Sequence, residues 1–296
     1  MTVDLRKYAW LSIGAAVVTI ALKTFAWRVT GSVGLLSDAA ESVVNLVAAI
    51  VALVAITVAA RPPSKKHHFG TSKAEYFSAG LEGMMIFVAA GVILVSAGQR
   101  FLHPQPLESV GIGLGVSLLA SVVNGAVAVV LGRVGRRHRS ATLVADGKHL
   151  MTDVWTSVGV IIGVGLVWVT KWERLDAIVA FAVGLNILFT GGKLVAESAA
   201  GLLDVSLPKE DNDLLRKVLQ GFTSGEIEFH AFRTRESGQR RFMETHMLVP
   251  GAWTVQAGHD AIEDVTEALR EVMPDLRVLI HLEPIEDPRS YQDMDV

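Results

Sequence analysis

Two stretches of this chain carry one polar pattern in otherwise apolar surroundings. In "SDAAESVVN", Asp38, Glu41 and Asn45 stand three and then four residues apart; in "ADGKHLMTD", Asp146, His149 and Asp153 repeat that spacing. Spacings of three and four return to nearly the same azimuth of a helix, so each triplet lines one helix face. Carboxylate and amide oxygens with an imidazole nitrogen are a donor set for a divalent first-row cation. A second reading is that Asn45 and His149 only tie helices together by hydrogen bonding. Which of the two holds depends on where the helices run.

Apolar stretches of spanning length cover 8–29, 33–60, 77–101, 107–132, 141–170 and 176–201, near or above the ~20 residues a bilayer requires. The triplets therefore lie inside the second and fifth of six predicted transmembrane helices. Acids at that depth cost several kcal/mol unless compensated, so they are functional by default. Glu41 and Asn45 on one helix, and His149 and Asp153 on the other, lie about 13–20 Å from their helix starts at ~1.5 Å per residue. The two helices run in opposite directions. Antiparallel packing would bring the four residues together near the midplane as an ion site. Asp38 and Asp146 sit a turn nearer the outer and inner surfaces, as access stations or helix-end residues. Lys23 and Lys148 are placed to snorkel or to pair with these acids.

Basic residues gather before the first span (Arg6, Lys7), between spans two and three (Arg61, Lys65, Lys66, Lys73) and between spans four and five (Arg133, Arg136, Arg137, Arg139). The positive-inside rule then puts both termini in the cytoplasm, and an even number of spans agrees. The first apolar run has no convincing cleavage site and reads as a retained helix. Charge becomes frequent only from residue 204 onward. The chain thus divides into a membrane part, 1–205, and a cytoplasmic part, 206–296.

In that second part "KEDNDLLRKVLQGF" and "TVQAGHDAIEDVTEALREVM" have helical periodicity. "EIEFHAFRTRES" and "RRFMETHMLV" alternate like strands around Ser237-Gly238, and "LRVLIHLEP" closes as a third strand. The expected fold is an all-α membrane domain of six transmembrane helices plus a cytoplasmic α+β domain of order αββαβ. With no cysteine, disulfides, thiolate metal sites and cysteine nucleophiles are excluded. No H-E-x-x-H motif is present and no serine has an evident partner base, which sets aside an intramembrane hydrolase. No enzyme activity and no nucleic-acid partner are expected.

At this point the sequence resembles the cation diffusion facilitators, homodimeric exporters of divalent transition metals with six spans and a cytoplasmic αββαβ domain. The resemblance rests on "GSVGLLSDAAESVVN", "HHFGTSKAEYFSAGLEG", "LVADGKHLMTDVWTSVGV", "LLD" at 202–204, "FHAFRTRESGQRRFMETHMLV", "QAGHDAIEDV" and "VLIHLEP", in family order over nearly the whole chain. It implies a transport site of Glu41, Asn45, His149 and Asp153. The His149/Asp153 pair matches the family pattern. Glu41 and Asn45 stand where the usual zinc transporters carry Asp or His, and then Asp. With His149 neutral the site carries two negative charges, enough for one divalent cation: zinc, iron(II), manganese, cobalt, nickel or cadmium.

The resemblance further implies at best a partial loop site at His67 and His68, whose preferred reading is as histidines of a wet basic loop. Lys73 and Glu75 match the family's "KAE" and are expected in surface ion pairs. In the tail, His230, His246, His259, His281 and Glu283 match positions for regulatory metal, with Asp260 a further candidate. The expected function is proton-coupled export of the metal through the midplane site. The metal is substrate and regulatory ligand and no cofactor is expected. The partners are protons, the lipid bilayer and a second copy joined through the cytoplasmic domain. The expected location is the bacterial inner membrane. The alternative is a non-transporting membrane metal sensor or scaffold acting through the tail.

Overall fold

A computed structural model of the chain describes residues 4–30, 33–103, 111–172 and 174–292. Within the helices a few side chains, including those of residues 33–41, lie outside that description. The chain forms two compact units, residues 1–199 and 200–296.

The first unit holds six long helices: α1 (Arg6–Thr30), α2 (Val33–Ala59), α3 (Ala74–Leu102), α4 (Gly111–His138), α5 (Ala141–Thr170) and α6 (Arg174–Leu202). Four described segments, in α1, α3, α4 and α6, are long and apolar enough to cross a membrane, and Asn45–Ala59 is a shorter apolar helix. Large apolar side chains such as Phe77, Val88, Val92, Val122 and Phe189 are exposed, a surface suited to hydrocarbon. α5 is the hub, packing against α2, α3 and α4, while α1 packs on α2 and α4. Leu131, Leu143 and Leu150 join Ala9 and Ile56 in one buried cluster; Ala79, Ile86, Ala145 and Ile187 form another among α3, α5 and α6.

Close helix approach depends on glycine at the α4–α5 contact. A Cβ on Gly147 would stand 3.0 Å from the Gly132 nitrogen and 3.1 Å from the Ala128 oxygen, both backbone atoms that cannot step aside. The predicted connection "GRVGRRHRS" is mostly helix. α4 runs on to His138, carrying Arg136, Arg137 and His138 in its last turn, where cations suit the helix dipole. Arg139, at φ 53°, ends it. The Ser140 hydroxyl then accepts from the Leu143 amide at 3.3 Å and caps α5.

The second unit has the order α7 (Lys209–Phe222), β1 (Glu228–Ser237), β2 (Arg240–Val249), α8 (Val255–Val272), β3 (Leu276–Pro284), followed by a 3₁₀ turn at Pro288–Tyr291. β2 is central, antiparallel to β1 and parallel to β3. Gly238 at φ 58° supplies the left-handed position that the tight β1–β2 turn needs. Thr254 caps α8 by accepting from the Ala257 amide at 3.1 Å. Leu215 and Leu219 of α7, Val265 and Leu269 of α8, and Met243 and Met247 of β2 share one core. Because strand side chains alternate, the neighbours of those methionines, including His246, belong to the sheet face away from the helices.

Candidate metal centre

Three of the four predicted midplane residues meet. The Asn45 side-chain nitrogen donates to Asp153 Oδ2 at 2.5 Å, and the Asn45 amide oxygen lies 2.8 Å from His149 Nε2. The amide is thereby oriented: its NH₂ faces a carboxylate and its oxygen accepts from an imidazole N–H. Asn45 and His149 are buried, at 4% and 7% exposure. The joining element is α5, which presents His149 and Asp153 one turn apart toward α2. Glu41 and Asp38 carry side chains outside the described residues, so their place in the set is not part of this geometry.

A fourth side chain belongs to the cluster and sequence reading missed it. Asn124 on α4 donates to the same Asp153 Oδ2 at 3.2 Å, and its own amide oxygen is buried without a hydrogen-bond partner among the described residues. The signal was a lone Asn in the apolar run "ASVVNGAV", which by itself suits helix-to-helix bonding as well. Oxygen and nitrogen donors therefore converge from α2, α4 and α5. Tetrahedral ligands at ~2.0–2.1 Å from a zinc-like ion stand about 3.3 Å apart. The Asn45–His149 separation needs only a small widening to admit one.

Asp146 is buried one turn from His149 and accepts from the Ser12 hydroxyl of α1 at 3.1 Å. Lys148 pairs with Glu197 of α6 at 3.0 Å, and with neither Asp146 nor Asp153 among the described residues. Glu75, expected at the surface, is not there. It is fully buried, accepting hydrogen bonds from the Ser140 hydroxyl and, at 3.4 Å, from the Thr142 amide. Its carboxylate locks the start of α3 to the start of α5, because α5's first amides have no helical partner. His67 and His68 lie on an exposed turn. His68 Nε2 bonds the Lys65 carbonyl at 3.0 Å, and neither belongs to a cluster of three metal-binding side chains among the described residues.

In the second unit the strand register aligns three histidines. His230 pairs with His246 and His246 with His281 across the sheet. Their rings meet edge to face, with centroids 5.0 Å and 4.9 Å apart. Glu283, two residues beyond His281 and so on the same face, takes His230 Nε2 at 3.0 Å and His246 Nδ1 at 3.1 Å on one oxygen. His281 lies 3.6 Å from the other oxygen and is 65% exposed in its side chain. Ligand atoms of His230, His246 and Glu283 fall within 4.8 Å of one another, and two imidazoles with a carboxylate fit a zinc-like ion. His259 does not join them. It is exposed on α8, which packs on the opposite sheet face. Asp260 accepts from Gln256 at 2.7 Å. Tyr291, which sequence reading did not single out, stacks on His230 at 6.3 Å and fixes itself to the Ile285 carbonyl at 2.8 Å.

Comparison with known proteins finds two family domains in the chain. The cation efflux transmembrane domain matches residues 9–203, and the cation efflux protein cytoplasmic domain matches 207–285. The "Uncharacterized transporter sll1263" of Synechocystis sp. is 50% identical over 290 residues, covering 98% of this chain and 94% of its own. The cation-efflux pump FieF of Yersinia pestis is 32% identical over 280 residues, covering 94% and 92%. FieF of Klebsiella pneumoniae is 30% identical over 263 residues, covering 89% and 87%. The chain belongs to the cation diffusion facilitator family. It belongs to a family of integral membrane transporters for metal-cation efflux, which is not an enzyme class.

Proposed function

We propose that this transporter exports a divalent first-row transition metal from the cytoplasm in exchange for protons, through a site made of Glu41, Asn45, His149 and Asp153. The observation that carries the reading is the Asn45–His149–Asp153 cluster joining α2 to α5, with Asn45 and His149 buried and Asp153 half-buried. Metal entering beside Asp146 replaces the hydrogen bonds of this cluster with bonds to itself. Rocking of α2 and α5 then opens the site outward, where protons compete for His149 and the carboxylates and release the ion. The imidazole suits this exchange because a modest pH difference changes its charge. Zinc, iron(II), manganese, cobalt, nickel and cadmium all suit the donor set.

Both termini and the αββαβ unit are cytoplasmic in this reading, and the membrane is the bacterial inner membrane. Metal at His230, His246 and Glu283 favours pairing of two copies and biases the transport equilibrium. Flux of each metal into proteoliposomes under an imposed pH gradient tests the function. Asp153→Ala should abolish proton-dependent flux; retained flux would refute the site assignment.

A further inference from the structure

One buried acid has no part in the site described above. Glu82 on α3 is wholly inaccessible, and neither of its carboxylate oxygens has a hydrogen-bond partner among the described residues. The charge that bears on it is another negative one, that of Asp146 on α5. Asp146 is 1% exposed; one oxygen accepts from Ser12, and the other has no hydrogen-bond partner among the described residues. Ser78, on Glu82's helix face one turn earlier, is 2% exposed with its hydroxyl oxygen likewise without such a partner. Neither acid pairs with a lysine or arginine among the described residues.

Small residues, Ala79 on α3 and Ala145 on α5, pack where these two helices meet. Ser12, Glu82 and Asp146 sit roughly 8–12 Å from the starts of their helices at ~1.5 Å per residue. Those starts share one end of the bundle, the end from which the proposed route enters. Asp146 stands three residues before His149 on α5, about one helical turn.

Two carboxyl groups shut away from water, with empty acceptor positions, are compensated either by protons or by a bound cation. We propose that Glu82 and Asp146, with the hydroxyls of Ser12 and Ser78, form a second binding station for a divalent cation. Its donors are all oxygen, unlike the His149 site, so it suits hard ions such as Mn²⁺. One M²⁺ balances both carboxylates. The station rests on the transport-site reading only for its destination: an ion held there is one helical turn from His149.

The test is titration of Mn²⁺ into the full chain in lipid nanodiscs, read by the EPR signal of free Mn²⁺, for native protein, Glu82→Gln, Asp146→Asn and His149→Ala. Glu82→Gln and Asp146→Asn should each lose the same single equivalent. His149→Ala should keep that equivalent and lose a different one. If Glu82→Gln binds as many ions as native protein with equal affinity, there is no station. If it also loses the His149-dependent equivalent, Glu82 only braces the transport site, and the proposal fails. Should His149→Ala lose nothing while Glu82→Gln does, the transport-site assignment falls and the station stands.

Discussion

Nε2 of His149 on α5 lies 2.8 Å from the side-chain oxygen of Asn45 on α2. The same amide gives its nitrogen to Asp153. A neutral amide thus joins an imidazole to a carboxylate, which an Asp at position 45 could not do without taking up a proton or a metal.

Replacing Asn45 by Asp should therefore make the helical unit more dependent on metal. The substitution turns a donor into an acceptor facing Asp153. Without metal it should cost about 1–3 kcal/mol, the penalty of an unsatisfied buried polar group. Zn²⁺ should restore this and raise the thermal midpoint more than it does for native protein. Midpoints of the detergent-solubilised chain with and without Zn²⁺ check this, and an identical metal response in both proteins would remove Asn45 from the site.

Asn124 holds Asp153 from the α4 side. Asn124→Leu should preserve helix packing but leave Asp153 less firmly oriented. Partners that orient a ligand typically account for 10–100-fold in metal affinity, so the KM for metal should rise by about that factor. Initial-rate flux in proteoliposomes measures it. A KM equal to the native value would make Asn124 a packing residue only.

Gly147 and Gly91 give a paired test of helix packing. A Cβ at Gly147 meets backbone of α4 at 3.0 Å, whereas at Gly91 it meets nothing within 4 Å. Gly147→Ala should cost about 1–3 kcal/mol by overpacking. Gly91→Ala should be neutral or gain about 0.5–1 kcal/mol from helix propensity. Thermal midpoints moving the opposite way would contradict the packing.

In the sheet unit, Glu283→Gln should weaken Zn²⁺ binding at His230 and His246, because the anionic ligand is replaced by a neutral one. Lower pH should act in the same direction, since protonated imidazoles cannot ligate metal. Calorimetric titration of the full chain, with a chelator to strip metal beforehand, reads both effects. An unchanged Zn²⁺ affinity would rule out Glu283 as a ligand.

Asp287 supplies a pH marker outside the membrane. Hydrogen bonds from the Arg289 side chain and amide hold its carboxyl down at about 2 from an ordinary 3.8. A lowered acid stabilises the folded form above its unfolded pKa, and that contribution fades as pH falls through the folded value. The 3₁₀ turn at Pro288–Tyr291 should keep this contact at pH 5 and lose it between about pH 4 and pH 2. NMR of the Asp287 carboxyl carbon follows it, and a midpoint near 4 would show that the contact does not persist in solution.

The sequence by itself determined what local periodicity can determine. Runs of apolar residues marked the six long helices to within a few residues, except where the arginines after Leu131 continued α4 through a predicted loop. Alternation marked the three strands, and equal spacing of "SDAAESVVN" and "ADGKHLMTD" put Asn45, His149 and Asp153 on facing surfaces. Tertiary structure decided the rest, because contact between distant helices leaves no periodic trace in either one. Asn124 and Glu82 are single polar residues in apolar runs; only the packing of α4 and α3 on α5 shows what they face. In the tail, five family positions looked equivalent along the chain. Strand register gathered His230, His246, His281 and Glu283 on one sheet face, and α8 kept His259 on the other.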